Sequence, residues 1–340
     1  MAKSRLDLTR SQILAFRRHV GALDERLPPG AGSLRRAAWA GLQDSMPRAA
    51  LLSIHARVTG AHASSWEDPS LVQLWGPRFS TYVVPARDRA LFSLARMPDD
   101  ARSRRVAEEV AAGLHAFLAG RRMADREAAA GLGVHPNRFR YAAPTGTVLI
   151  RWEGARAPTV WTVPPPDVEP HEARRELARR YLRVFGPTTP AAFATWAGIA
   201  PAQAAATFDA LARSLTAVRT PIGEGWILTR DEPLFRAPAG PAAAARLLPS
   251  GDAYYLLQGV DRELLVPDAA CRGALWTSRV WPGAVLVAGE IVGTWRRAQA
   301  NLTIQLWRGL SPAERDAVEA EAQTLPLPGI ERRIAVSWDG

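Results

Sequence analysis

Residues 41–60, GLQDSMPRAALLSIHARVTG, place Gln43, Asp44 and Ser45 together at a corner between apolar helical stretches. A carboxamide, a carboxylate and a hydroxyl at an exposed corner are able to hold a ligand or orient a water. The same residues also fit a purely structural assignment, with Ser45 as an N-cap, Asp44 beside the positive end of a helix and Gln43 on the surface. Other chemistries are poorly provided for. Lys3 is the only lysine, so imine formation has only Lys3 or the terminal amine. The six histidines, His19, His55, His62, His115, His135 and His171, show no metal spacing, and Cys271 is the only cysteine. Neither a P-loop nor a Gly-x-Gly-x-x-Gly after a strand is present. No metal and no cofactor are therefore expected.

The corner needs elements to hold it. Residues 8–22 read as a helix with Ile13, Leu14, Phe16 and Val20 on one stripe. A second helix is expected from Ser33 to Gln43, and a third from Pro47 to a stop at Gly60. Thr81–Val84 reads as a strand. Helices, turn, helix and strand follow the grammar of a winged helix. The grammar repeats, with helices over 87–96, 101–119, 123–131 and 136–142, then a hairpin of Thr147–Trp152 and Thr159–Val163 around Glu153-Gly154-Ala155. Pro164-Pro165-Pro166 reads as a stiff linker. A third unit runs from the Glu169–Phe185 helix, whose Arg174, Arg175, Arg179, Arg180 and Arg183 are expected on a polar face, to a hairpin around Gly223-Glu224-Gly225. Beyond it, short segments at 247–249, 254–257, 263–266, 285–288, 290–295, 302–307 and 334–338 read as strands, with one helix over 312–325. The expected fold is mainly α with β: tandem winged helices over 1–86, 87–166 and 167–232, then a small β-barrel over 233–340.

The charge is unevenly placed. The chain carries a net charge of +10 over 340 residues, with 43 Lys and Arg against 33 Asp and Glu. Residues 1–166 hold 24 basic against 14 acidic side chains, and residues 167–340 hold 19 of each. A basic half beside a neutral half suits a polyanion, with nucleic acid foremost. Nearly all of the basic residues are arginine, which meets phosphates with a two-pronged fork. No apolar run approaches a membrane span and no apolar leader is seen, so a cytoplasmic, nucleoid-associated monomer is expected.

Six stretches, in order, resemble the AlkZ/YcaQ-type family of winged-helix DNA glycosylases. They are Gly41-Leu42-Gln43-x-Ser45 followed by the Ala-rich helix with Arg57; Arg78-Phe79-Ser80-Thr81-Tyr82-Val83-Val84-Pro85-Ala86-x-Asp88; Arg180-Tyr181-Leu182-x-x-Phe185-Gly186-Pro187-Thr188-Thr189; Leu247-Leu248-Pro249-x-x-Asp252; Asp261-Arg262; and Gly293-Thr294-Trp295-Arg296-Arg297. The resemblance implies winged helices and a barrel around a DNA channel, with excision of alkylated bases and, in some members, unhooking of interstrand crosslinks. The family's catalytic pair resembles Gln-x-Asp or Gln-x-Gln. Gln43 matches its first member, while Ser45 stands in the third place and Asp44 in the usually apolar middle. Tyr82 stands where the family resemblance leads one to expect a histidine.

The expected function is that of a monofunctional glycosylase acting on damaged double-stranded DNA. The alternative is a non-catalytic winged-helix DNA-binding protein, either a regulator or a lesion shield. Candidate catalytic residues are Gln43, Ser45 and Asp44. Candidate DNA-binding residues are Arg48, Arg57, Arg78, Tyr82, Arg138, Arg140, Arg151, Arg156, Arg296 and Arg297, with Arg57 the one most open to a structural ion pair. The hairpin near Arg151–Trp161 is expected either to probe DNA or to be an ordinary edge hairpin.

Overall fold

The computed structural model describes residues 6–154, 156–330 and 332–339. Lys3 lies outside the described residues, as does Ala155 of the hairpin tip. The fold is mixed α and β, and the same order of elements recurs three times.

In the first unit, helix Ala31–Ala37 leads to the two-residue strand Leu42–Gln43, helix Ala49–Arg57 and the hairpin Leu71–Trp75 and Thr81–Pro85. The sheet runs in the order first, third, second strand. The second unit repeats this with helix Ala101–Leu118, strand Met123–Ala124, helix Asp125–Gly131, the 3-10 segment Pro136–Thr145 and the hairpin Val148–Arg151 and Thr159–Thr162. The third has helices Pro170–Phe185, Pro190–Ala197 and Pro201–Leu211 and the hairpin Leu215–Thr220 and Gly223–Leu228. An isolated bridge from Thr188 to Trp226 stands where the other units have their first strand.

The corner departs from the sequence expectation. The helix expected to reach Gln43 ends at Ala37, and Leu42 and Gln43 pair with Val83 and Tyr82 as a strand. Gly41 makes the break. Its φ is +80°, and a Cβ there would lie 2.8 Å from Phe92 and 3.0 Å from Tyr82. The next helix begins at Ala49 rather than Pro47, because Arg48 is left-handed at φ 70°. It stops at Val58, which bridges to Leu27, before reaching Gly60.

The N-terminal residues do not belong to the first unit. Strand Leu6–Asp7 runs parallel to Leu215–Thr220, pairing Leu6 with Val218. Helix Arg10–Val20 then buries Ile13 and Phe16 with Val218, Ile227 and Phe235. The third unit is thus completed by the start of the chain.

Among the described residues no closed barrel forms at the C-terminal end. Strands Ala245–Leu248, Gly283–Val287, Glu290–Ala298, Asn301–Leu306 and Ala335–Asp339 make an open five-stranded sheet in that order, antiparallel except for the last pair. Helix Pro312–Gln323 covers it, placing Val318 and Ala322 on Leu247 and Val285. Residues 254–257 are not a strand, and 263–266 fall largely within helix Asp261–Leu265. Short apolar runs carry no periodicity that separates a buried strand from a buried helix.

The units share one core, in which Tyr82, Leu149, Phe193 and Tyr255 are all buried. Charged side chains also rivet them together. Arg174 and Arg180, expected on a polar face, are buried. Arg174 donates to the Ala95 and Met97 carbonyls at 2.8 Å. Arg180 meets Asp88 and the Trp39 carbonyl at 2.9 Å. Arg57 forks onto Asp252 with two bonds of 2.7 Å, and Asp252 also accepts from Ser53. Removing one member of such a buried pair strands the other charge, so Asp252→Ala is expected to cost roughly 3–5 kcal/mol. A urea midpoint within the error of the parent's would contradict this.

Candidate active site and nucleic-acid interface

Gln43 lies where three parts of the chain meet. Along a strand, successive side chains alternate in direction. Gln43 and Asp44 therefore face opposite ways, a separation that the helical corner expected from sequence left undefined.

On one side, the Gln43 carboxamide is half-buried and its Oε1 accepts from Arg78 Nη2 at 3.3 Å. Arg78 also donates to the Trp196 carbonyl of the third unit at 3.3 Å. Both Arg78 and Phe79 are left-handed, at φ 53° and 56°. Consecutive non-glycine residues in that region store strain, which the surroundings must hold in place. Gly198 supplies part of that hold, since a Cβ on it would come within 3.0 Å of the Arg78 backbone nitrogen. Gly251, at φ +74°, covers Gln43 from the C-terminal region, its Cβ position only 3.4 Å from the carboxamide. The next residue is Asp252, so one turn both clamps helix Ala49–Arg57 and covers Gln43. Ser45 is half-buried, and its hydroxyl has no protein partner among the described residues.

On the other side, Asp44 is buried. Its Oδ1 accepts from Ala50 N at 3.0 Å and its Oδ2 from Gln73 Nε2 at 2.7 Å. Gln73 Oε1 accepts from Trp152 N at 2.5 Å, which fixes the orientation of the amide. Desolvation pushes the Asp44 carboxyl up to about 7, against the pull of Ala50 N–H, Arg48, Gln73 and Arg151. Gln73 was not singled out from sequence. A polar side chain inside the apolar strand LVQLW was the available signal, because a buried amide requires partners.

The hairpin expected as a DNA probe is braced on this corner. Gly154 packs on Pro47, where a Cβ would lie at 2.9 Å, and Arg48 donates to the Glu153 carbonyl at 3.3 Å. Arg151 pairs with Glu67 at 2.7 Å, and both Arg48 and Arg151 lie over the Trp66 ring, at 4.3 and 3.9 Å.

The other DNA-contact candidates divide by burial. Arg57 is consumed by Asp252, and Tyr82 is completely buried, its ring against Gly41 and Gly76, so neither faces solvent. Arg138, Arg140 and Arg156 are exposed. Beside Arg138 and Arg140 stands Tyr141, 55% exposed, its ring edge-on to Phe79 at 5.7 Å. Arg296 and Arg297 are exposed on the C-terminal sheet and donate to the Val280 and Gln299 carbonyls.

A family model described as DNA glycosylase AlkZ-like matches residues 36–326. The chain belongs to the AlkZ-like DNA glycosylase family. Its fold is similar to that of the solved Streptomyces sahachiroi DNA glycosylase AlkZ, with a TM-score of 0.78 at 18% identity over 98% of this chain and 100% of that one. No curated protein matches the sequence. Several residues by which the chain resembles AlkZ-like enzymes act as clamps here. Arg57 holds Asp252, Arg180 holds Asp88, and Trp295 donates to the Leu248 carbonyl at 2.9 Å.

Asp44 gives a pH test of the corner. An ordinary aspartate titrates near 3.8 and the folded Asp44 near 7, so the folded chain keeps a proton that the unfolded chain loses between those values. Asp44 thus makes stability fall as pH climbs from about 4 to about 7 and leaves it level above. Asp44→Asn removes that slope. Urea unfolding of both proteins across this range is expected to show the parent losing ground to the variant with rising pH, and parallel curves would refute the assignment.

Proposed function

We propose that this DNA glycosylase excises N-alkylated or bulky base adducts from duplex DNA, interstrand crosslinks included, by direct attack of water on the anomeric carbon. The observation that carries this is the Gln43 carboxamide, pinned by strained Arg78 and covered by Gly251 where the first unit, the third unit and the C-terminal region converge. Gln43 Oε1 accepts from Arg78 and has a second lone pair for a water hydrogen. The Ser45 hydroxyl, two residues on at the same corner and without a protein partner among the described residues, takes the other contact. The water oxygen bonds to the anomeric carbon, and the bond to the base nitrogen breaks with its electrons on the base. An N7-alkylated purine already carries positive charge and so leaves neutral, while the proton of the water passes to solvent.

Asp44 is assigned a positioning role. Both of its oxygens are engaged in holding the turn and the hairpin, and it faces away from Gln43. The three repeated units are read as winged helices. The exposed arginines Arg138, Arg140 and Arg156 are read as phosphate contacts, with Arg48, Arg78 and Arg151 acting first as braces.

Base release from a duplex containing N7-alkylated guanine tests the site. Gln43→Ala is expected to slow release by roughly 10²–10³-fold, the scale of one preorganised polar group, Ser45→Ala by about tenfold, and Asp44→Asn by less than Gln43→Ala. The product is an intact abasic site, with no adduct trapped by borohydride. Unchanged excision in Gln43→Ala would remove this site, and duplex binding without any base release would leave the non-catalytic alternative.

Duplex affinity is expected to fall steeply with salt. Replacing Arg138, Arg140 and Arg156 together is expected to reduce the log–log slope by roughly one for each true phosphate contact. An unchanged slope would show that the phosphate contacts lie elsewhere.

A further inference from the structure

A cavity of about 320 Å³ lies on the far side of the Gly41 break, between helix Arg10–Val20, helix Ala31–Ala37 and the Ala253-Tyr254 segment. Its wall contains Arg17, Arg35, Arg36, Arg57, Arg87 and Arg183, and no carboxylate. Three of these arginines have acidic partners behind the wall: Arg57 with Asp252, Arg87 with Asp88 and Arg183 with Asp231. Arg35 and Arg36 form no ion pair among the described residues.

Two polar groups in the wall are more than nine-tenths buried and unpartnered. Arg17, 2% exposed, donates from Nε and Nη2 to the Gly186 and Phe185 carbonyls, which leaves Nη1 with no acceptor. Tyr254, 5% exposed, has a hydroxyl that faces Arg18 and meets no hydrogen-bond acceptor. A buried donor without an acceptor is costly, and native folds keep few of them. The Asp261 carboxylate lies near Arg17 without a hydrogen bond to it, so both donors stay open to a shared acceptor carrying negative charge. Val20, Trp39 and Val184 provide an apolar remainder, and the volume is at the small end for a small-molecule site.

We propose that this cavity binds a small phosphorylated or carboxylated ligand, its oxyanion accepting from Arg17 Nη1 and the Tyr254 hydroxyl and facing Arg36, its apolar part against Trp39. The phosphodiester backbone of a duplex suits the cavity less well, because the two donors are almost completely buried. Gly41 lines the cavity and Gln43 lies two residues on, so the ligand would sit behind the strand that carries Gln43.

Thermal unfolding of the full chain, titrated with inorganic phosphate and separately with a deoxynucleoside 5′-monophosphate, tests the proposal against chloride at equal ionic strength. The midpoint is expected to rise saturably with phosphate or the monophosphate and not with chloride. The Tyr254 hydroxyl donates no protein hydrogen bond, so without phosphate Tyr254→Phe should unfold close to the parent. Its apparent affinity for the anion should fall about tenfold, as for one lost bond to a charged group. Arg36→Ala, an exposed change, should weaken the anion several-fold. Equal responses to phosphate and chloride, or variants that respond like the parent, would overturn the proposal. So would variants that lose duplex affinity in step with phosphate affinity, because the cavity would then belong to the DNA-binding face.

Discussion

The site depends on a buried carboxyl that has to be satisfied. Asp44 enters the interior at a tight turn, and its two oxygens take one hydrogen bond from the following helix and one from Gln73. Gln73 in turn takes the Trp152 N–H of the second unit. A half-satisfied network of this kind would be worse than an apolar one. The helix start, the central strand and the hairpin must therefore be in register together, and only then does Gln43 point the other way toward Arg78 and Gly251.

Arginine does much of the work that apolar contact does in other multi-unit folds. Arg174, Arg180, Arg57 and Arg17 are buried, and each spans from one part of the chain to carbonyls or a carboxylate of another. A planar fork is able to satisfy two acceptors at once and is less strongly hydrated than an ammonium, so it suits boundaries where backbone carbonyls are left over. The arginine-rich, nearly lysine-free composition thus reflects internal architecture as well as affinity for a polyanion. The net charge by itself does not show which arginines face outward.

The repeated helix-and-hairpin order was legible in the sequence, because each hairpin is bounded by turn residues and each long helix carries a clean apolar stripe. The hairpin at Val148–Thr162 stands where its pattern places it, whereas the later hairpin turns at Pro221-Ile222 and takes Gly223-Glu224-Gly225, read as its tip, into its second strand. The corner was legible as a position, while its backbone was not. Gln43 ends an amphipathic run that reads as helix, and only the tertiary crowding of Gly41 by Phe92 and Tyr82 turns it into a strand. The open C-terminal sheet was mistaken for a barrel because closure depends on strand pairing between distant segments, about which a series of short strands is silent. Arg57 and Tyr82, the latter where a histidine is expected, are both buried, and type and spacing do not separate a buried side chain from one in contact with a ligand.

The pairing of Leu6 with Val218 has a consequence for how the molecule is made. The first strand emerges from the ribosome before its neighbour exists, and more than two hundred residues must follow before the hairpin that receives it is complete. Until then the apolar face of helix Arg10–Val20, with Ile13 and Phe16, has nothing of its own unit to cover it. Contacts so distant in sequence are slow to form and leave apolar surface open in the meantime. Strand Leu6–Asp7 is thus a late arrival in the finished fold.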